Sequence, residues 1–161
     1  MAKDYFGGIS MAKLEEISAA KVKLGYPADT SRVVYAQTDD MVGRGFGIVV
    51  AALSNPMFYL SFEEDGLLML ECTPLYKLTG KHILIGKEQI KSLHFEKEKF
   101  HLFGMTNGHS PLANDALMVE NNDGDVANIA VWKRLVGFSW VKQNHDNVVQ
   151  LLNQGKIHYG A

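Results

Sequence analysis

A single cysteine, Cys72, excludes an intrachain disulfide and a four-cysteine zinc site in this chain of 161 residues. It sits in an apolar run, as a small buried hydrophobe would, and not as a thiol nucleophile. Arginine is scarce as well, with only Arg32, Arg44 and Arg134 present. That argues against a dedicated phosphate or carboxylate reader, which favours the guanidinium fork. Neither sign of charge is in excess: 16 Lys+Arg stand against 18 Asp+Glu, a formal charge of -2. Such a chain has no global attraction for nucleic acid or for an anionic membrane. The longest nearly continuous apolar run, Gly45 to Leu53, falls far short of the roughly 20 residues that span a bilayer. The opening MAKDYFGGIS has no apolar stretch of the kind a secretory signal needs. The expected setting is cytoplasmic.

What is present is enough apolar mass, 47% of residues, to close one core. The small net charge conceals blocks. Residues 1–23 carry +1, 24–76 carry -5, 77–99 carry +3, 100–132 carry -4 and 133–161 carry +3. Neighbouring blocks of opposite sign suit solvated faces of mixed charge, or an acidic edge that meets a basic one in self-association.

Leu14, Ile17, Ala20 and Leu24 recur at helical spacing, which predicts a helix over residues 10–24. Ser10 can cap its start, and Gly25 with Pro27 marks its stop. The apolar stripe is narrow, so this helix reads as a peripheral arm. The period then changes. Strands are expected at Arg32–Gln37, Ile48–Leu53, Met57–Phe62, Leu67–Cys72, His82–Ile85, around Ile90–Phe95, and at Phe100–Met105, Ala116–Asn121 and Val126–Trp132. Glu63-Glu64-Asp65-Gly66 reads as a solvated hairpin turn, and Thr79-Gly80 as a break. Asn122-Asp123-Gly124-Asp125 is a stronger hairpin signal. A final helix is expected from Trp140 to about Asn153, capped by Ser139 and ended by Gly155. Serial strands without intervening helices exclude a doubly wound α/β sheet.

The order of these elements resembles a bacterial pleckstrin-homology-like domain. The resemblance runs from Phe58 to Gln154, about three-fifths of the chain. It rests on FYLSFEEDGLLML, HILIGKEQIKSLHFEKEKF, the hairpin ALMVENNDGDVANIAV and the helix ending VVQLLNQ. It implies a mainly β fold: a partly open β-barrel or orthogonal sandwich capped by a C-terminal helix, here with an extra N-terminal helix. The expected organisation is a helical arm at 1–30 and a barrel domain at 31–161, with its helix at 139–154. The resemblance implies binding or scaffolding, often in oligomers, without catalysis. Phosphoinositide-binding relatives use a lysine-rich first hairpin. No lysine occurs between Lys23 and Lys77, which disfavours a membrane lipid as partner.

Gly43-Arg44-Gly45-Phe46-Gly47 is the most conspicuous local pattern, a candidate anion-binding loop carried by Gly43, Arg44 and Gly45. It lacks both the Rossmann spacing and a P-loop ending, so a flexible turn is the plainer account. Six histidines, His82, His94, His101, His109, His145 and His158, show no zinc-binding spacing. They read as half-exposed packing residues, with His94 and His101 able to face each other. No serine stands in a G-x-S-x-G elbow, and no metal or cofactor is expected. Trp132, Phe138 and Trp140, with Lys133 and Arg134 between them, are either core under the last helix or aromatic anchors with a basic rim. The expected function is therefore a non-enzymatic module acting by protein contact or self-association. The alternative is a small ligand-binding barrel or enzyme with a pocket at the end opposite the C-terminal helix.

Overall fold

The structure, a computed structural model, describes residues 2–38, 57–97 and 114–160, with side chains described from residue 13 on. The strands expected at Ile48–Leu53 and Phe100–Met105 lie outside these residues. So does the Gly43-Arg44-Gly45 loop, together with His101 and His109.

Helix α1 spans Ala2–Lys23. It begins eight residues before the expected start, so Ser10 lies inside the helix and not at its N-cap position. The paired glycines Gly7 and Gly8 lower helix propensity, which is why the pattern suggested a later start. Among the described residues seven strands follow: β1 Val33–Gln37, β2 Met57–Glu63, β3 Gly66–Cys72, β4 Leu78–Gly86, β5 Ile90–Lys97, β6 Asn114–Asn121 and β7 Val126–Trp132. Helix α2 spans Ser139–Asn153. The strands form one antiparallel sheet in the order β4-β3-β2-β1-β7-β6-β5, so the fold is mainly β, and among the described residues the sheet does not close. Among the described residues no helix is long and apolar enough to cross a membrane.

Alternation places successive residues on opposite faces of a strand, and here both faces of the central strands are buried. Val34, Phe58, Leu60, Phe62, Leu67 and Met69 join Leu117, Ile129 and Val131 in an inner core that Val148 of α2 seals. Their neighbours Val33, Tyr35, Tyr59, Leu68, Leu70 and Cys72 form a second cluster on the outer face. Helix α1 covers that face with Ile17, fully buried, and with Leu14 and Ala20, and Leu24 joins them just past its end. The narrow stripe does face the sheet, and through it the helix roofs the second hydrophobic cluster.

The helix ends follow one rule. Tyr26 N–H donates to Lys21 O at 2.9 Å and Gly25 N–H to Val22 O at 3.0 Å. Lys156 N–H donates to Leu151 O at 2.9 Å and Gly155 N–H to Leu152 O at 3.1 Å. Both are Schellman stops. The start of α2 departs from expectation. Ser139 is already helical, and Phe138 occupies the cap with no side-chain hydrogen bond. Phe138 is held there by burial in the outer cluster. Nor does Thr79-Gly80 break the chain: β4 runs through it opposite a register shift between Leu70 and Cys72.

The β2–β3 turn is tight. Gly66 has φ 146°, and a Cβ there would lie 2.1 Å from Ile85 O. Replacing Gly66 by Ala is expected to cost about 3 kcal/mol, because both the backbone conformation and the neighbouring strand must shift. Urea denaturation of the purified variant measures this. A loss below about 1 kcal/mol would show that the β3–β4 contact gives way easily. The C-terminal segment leans on the same turn: the Tyr159 hydroxyl donates to Glu63 O at 2.5 Å and to Gly66 O at 3.0 Å.

Candidate functional site

Six aromatic rings run through the outer cluster toward the surface. Tyr35 stacks edge-on against Trp132 at 5.1 Å and against Tyr76 at 5.4 Å. Tyr76 contacts Phe138 at 5.1 Å. Phe138 and Tyr59 lie 6.4 Å and 6.1 Å from Trp140. Tilted and edge-on pairs of this kind add about 0.5–1.5 kcal/mol each beyond the area they bury. Trp140 is 4% exposed and Phe138 9%, while Trp132 is half-buried. Burial pushes the Tyr35 and Tyr59 hydroxyls well above the usual phenol range. Among the described residues the buried Trp140 indole N–H meets no acceptor, and ring contacts hold the side chain.

Two turns carry this cluster to the surface. The first, Thr73 to Lys77, joins β3 to β4. Tyr76 N–H donates to Thr73 O at 2.8 Å, and Thr73 N–H to Lys77 O at 2.8 Å. That is a three-residue hairpin loop, whose last position is left-handed and ordinarily glycine. Here it is Tyr76, with φ 65°, the one non-glycine among the described residues with positive φ. Its ring packs on Tyr35 and Phe138, and its carbonyl accepts the Tyr59 hydroxyl at 2.8 Å. These contacts hold a conformation that costs a bulky residue on the order of 1 kcal/mol. The consequence is that Leu75, the preceding residue, stands 76% exposed.

The second turn, Leu135 to Phe138, joins β7 to α2. Phe138 N–H donates to Leu135 O at 3.1 Å. Gly137 takes φ 86° at the third position, as a type II turn requires. Val136 is left at the tip, 99% exposed. The turns meet through the Tyr76–Phe138 ring contact, and Lys77 and Arg134 beside them are both exposed. Sequence reasoning singled out Trp132, Phe138 and Trp140. It missed Leu75 and Val136, whose signal was an aliphatic residue at the centre of a short turn.

The remaining candidates disperse. His82 and His158 are exposed, and His94 faces Glu96 at 3.0 Å. His145 is buried: its Nε2 lies 2.9 Å from Asp115 Oδ2 and its Nδ1 3.4 Å from Asp146 Oδ1. Phe95 meets the ring edge-on. With both ring nitrogens facing carboxylates, His145 fastens α2 to β6. It borders an open groove of about 400 Å³ whose walls include Val149 and Gln150. Asn144 and Asn147 of α2 donate to Thr30 O, Val33 O and Ser31 O, which ties the helix to the chain entering β1. Among the described residues no group of three His, Cys, Asp or Glu is placed to hold a metal. Cys72 is fully buried, and burial pushes its thiol up to about 12. The sequence matches no known family model and no curated protein.

Proposed function

We propose that the chain is a non-enzymatic interaction module of pleckstrin-homology-like architecture, acting by protein contact through the Thr73–Lys77 and Leu135–Phe138 turns. The observation that carries this reading is the pair of aliphatic tips, Leu75 and Val136, held in the open by turns anchored in a buried aromatic cluster. Large apolar side chains presented in this way lower their free energy by entering a partner's surface. The architectural part rests on a four-strand meander, a three-strand meander and a closing C-terminal helix in one open antiparallel sheet. The inner core is filled by side chains from all seven strands and α2, which favours a contact surface over a small-molecule barrel. A reducing, cytoplasmic setting belongs to the same reading, given one buried thiol and no cystine.

The test is photo-crosslinking in the source cell from a reactive residue at position 136, with position 88, also exposed, as control. A discrete protein adduct, or a homodimer adduct, is expected from 136 and not from 88. It is expected to fall at least fivefold when Leu75 is changed to Ser. Equal, diffuse labelling from both positions overturns the reading.

A further inference from the structure

We infer that the surface docked by Leu75 and Val136 is an acidic protein segment with apolar side chains interspersed. This rests on the interaction reading above and adds the chemistry of the partner. Residues 73–78 (TPLYKL) and 132–138 (WKRLVGF) contain three cations and no acidic residue. Lys133 is already engaged, its Nζ 3.6 Å from Asp115 Oδ1. Lys77 and Arg134 are exposed next to the aliphatic tips. A partner carrying like charge would be repelled at contact, and a neutral one would strip water from two cations without compensation. Carboxylates around an apolar patch satisfy both the tips and the rim. Arg134 can meet one of them bidentately.

A lipid surface offers negative charge too, but the side chains fit it poorly. Tryptophan is the residue that anchors in a headgroup layer, and both tryptophans here are turned into the protein. Trp140 is buried, and Trp132 packs on Tyr35. The two tips are a leucine and a valine on separate turns, not a continuous apolar face.

The experiment uses the full chain and a defined probe. The probe is an array of 15-residue peptides mixing Asp/Glu with Leu, Val and Phe, beside the same peptides with every acid replaced by Lys. Binding to the acidic set is expected to exceed the lysine set at least tenfold and to weaken as salt rises. Changing Lys77→Glu together with Arg134→Glu is expected to abolish the preference. Changing Leu75→Ser together with Val136→Ser is expected to weaken binding at least tenfold. All four residues are exposed or in turns, so circular dichroism and thermal melting of each variant check that folding is intact. Equal binding to both peptide sets, or binding unmoved by the charge reversal, overturns the acidic partner and leaves the contact surface standing. Binding to acidic peptides unmoved by Leu75→Ser with Val136→Ser overturns the surface itself. Flotation with vesicles of phosphatidylcholine and phosphatidylserine at low salt, lost in the same double variant, overturns the protein partner in favour of a membrane.

Discussion

Replacing Lys21 by Met is expected to destabilise the protein by about 3–5 kcal/mol, close to half the stability of an ordinary domain. Lys21 lies on α1 and points into the outer cluster with its side chain 3% exposed. Its Nζ sits 2.7 Å from Glu63 Oε1, whose side chain is 7% exposed, and also donates to Asp29 O. Glu63 accepts a second bond, from the Ser61 hydroxyl at 2.6 Å. Removing the ammonium leaves a buried carboxylate with the Ser61 hydroxyl as its remaining side-chain partner among the described residues. The cost is the loss of its counter-charge in a place water cannot reach. Replacing both residues by Met removes the stranded charge, and most of the lost stability is expected to return, to within about 2 kcal/mol of the parent. Urea denaturation of the two single variants and the double variant measures this cycle. A single variant within about 1 kcal/mol of the parent would show that α1 swings away and lets water reach Glu63. The same pair explains why α1 sits where it does. Ile17 and its neighbours supply burial, and Lys21 and Tyr26 supply register, since the Tyr26 hydroxyl donates to Asp65 Oδ2 at 3.2 Å.

Raising the pH from 8 to 11 is expected to unfold the protein cooperatively. Burial holds the Cys72 thiol near 12 and lifts Tyr35, Tyr59 and Tyr159 well above the ordinary phenol value of 10. In the unfolded chain these groups release their protons near pH 9 for the thiol and near 10 for the phenols. Between those values and the folded ones, the unfolded state holds fewer protons, so stability falls as pH rises. Each group contributes up to about 1.4 kcal/mol per pH unit. With the thiol engaged from pH 9 and three phenols from pH 10, the loss by pH 11 reaches about 5–7 kcal/mol, comparable to a domain's whole stability. Below about pH 8 all four groups are protonated in both states and stability is flat with respect to them. Ultraviolet absorbance of tyrosinate, followed alongside circular dichroism, measures the coupling. Ionisation of these three tyrosines is expected to appear together with loss of structure. Their smooth titration near pH 10 in a folded protein would overturn the prediction. Cys72→Ala is expected to move the midpoint upward, because it removes the earliest of the four contributions.

Much of the fold could be read along the chain. The strands at Met57–Glu63, Gly66–Cys72 and Val126–Trp132 stand where alternation and turn residues put them. The Asp-Gly hairpin closes as expected, with Asn121 N–H donating to Asp125 O at 2.9 Å. Helix stops were legible because a glycine in left-handed conformation announces itself. Helix starts were not. Ser139 looked like a cap, but Phe138 takes that place because its ring is needed in the outer cluster, and tertiary packing outweighed a local hydrogen bond. The candidate site was half legible. Aromatic residues around the β7–α2 turn drew notice by composition. Leu75 and Val136 did not, since exposure at a turn tip depends on φ angles and ring contacts made by residues far apart in sequence.

Glu63 shows the boundary most plainly. In the run Glu63-Glu64-Asp65-Gly66 it looked like one more solvated turn residue. In the folded protein Glu64 and Asp65 are exposed and Glu63 is buried. Alternation turns Glu63 to the outer face of β2, and α1 brings Lys21 across from 42 positions away in the chain. Local periodicity determined that this chain would be mainly β, with a helix toward each end, and which residues of each strand share a face. Only the tertiary structure decided that the second face of the sheet is also covered. A short helical stripe cannot specify the surface it meets. Whether that surface buries a charge or solvates it depends on what arrives opposite, not on the residues beside it.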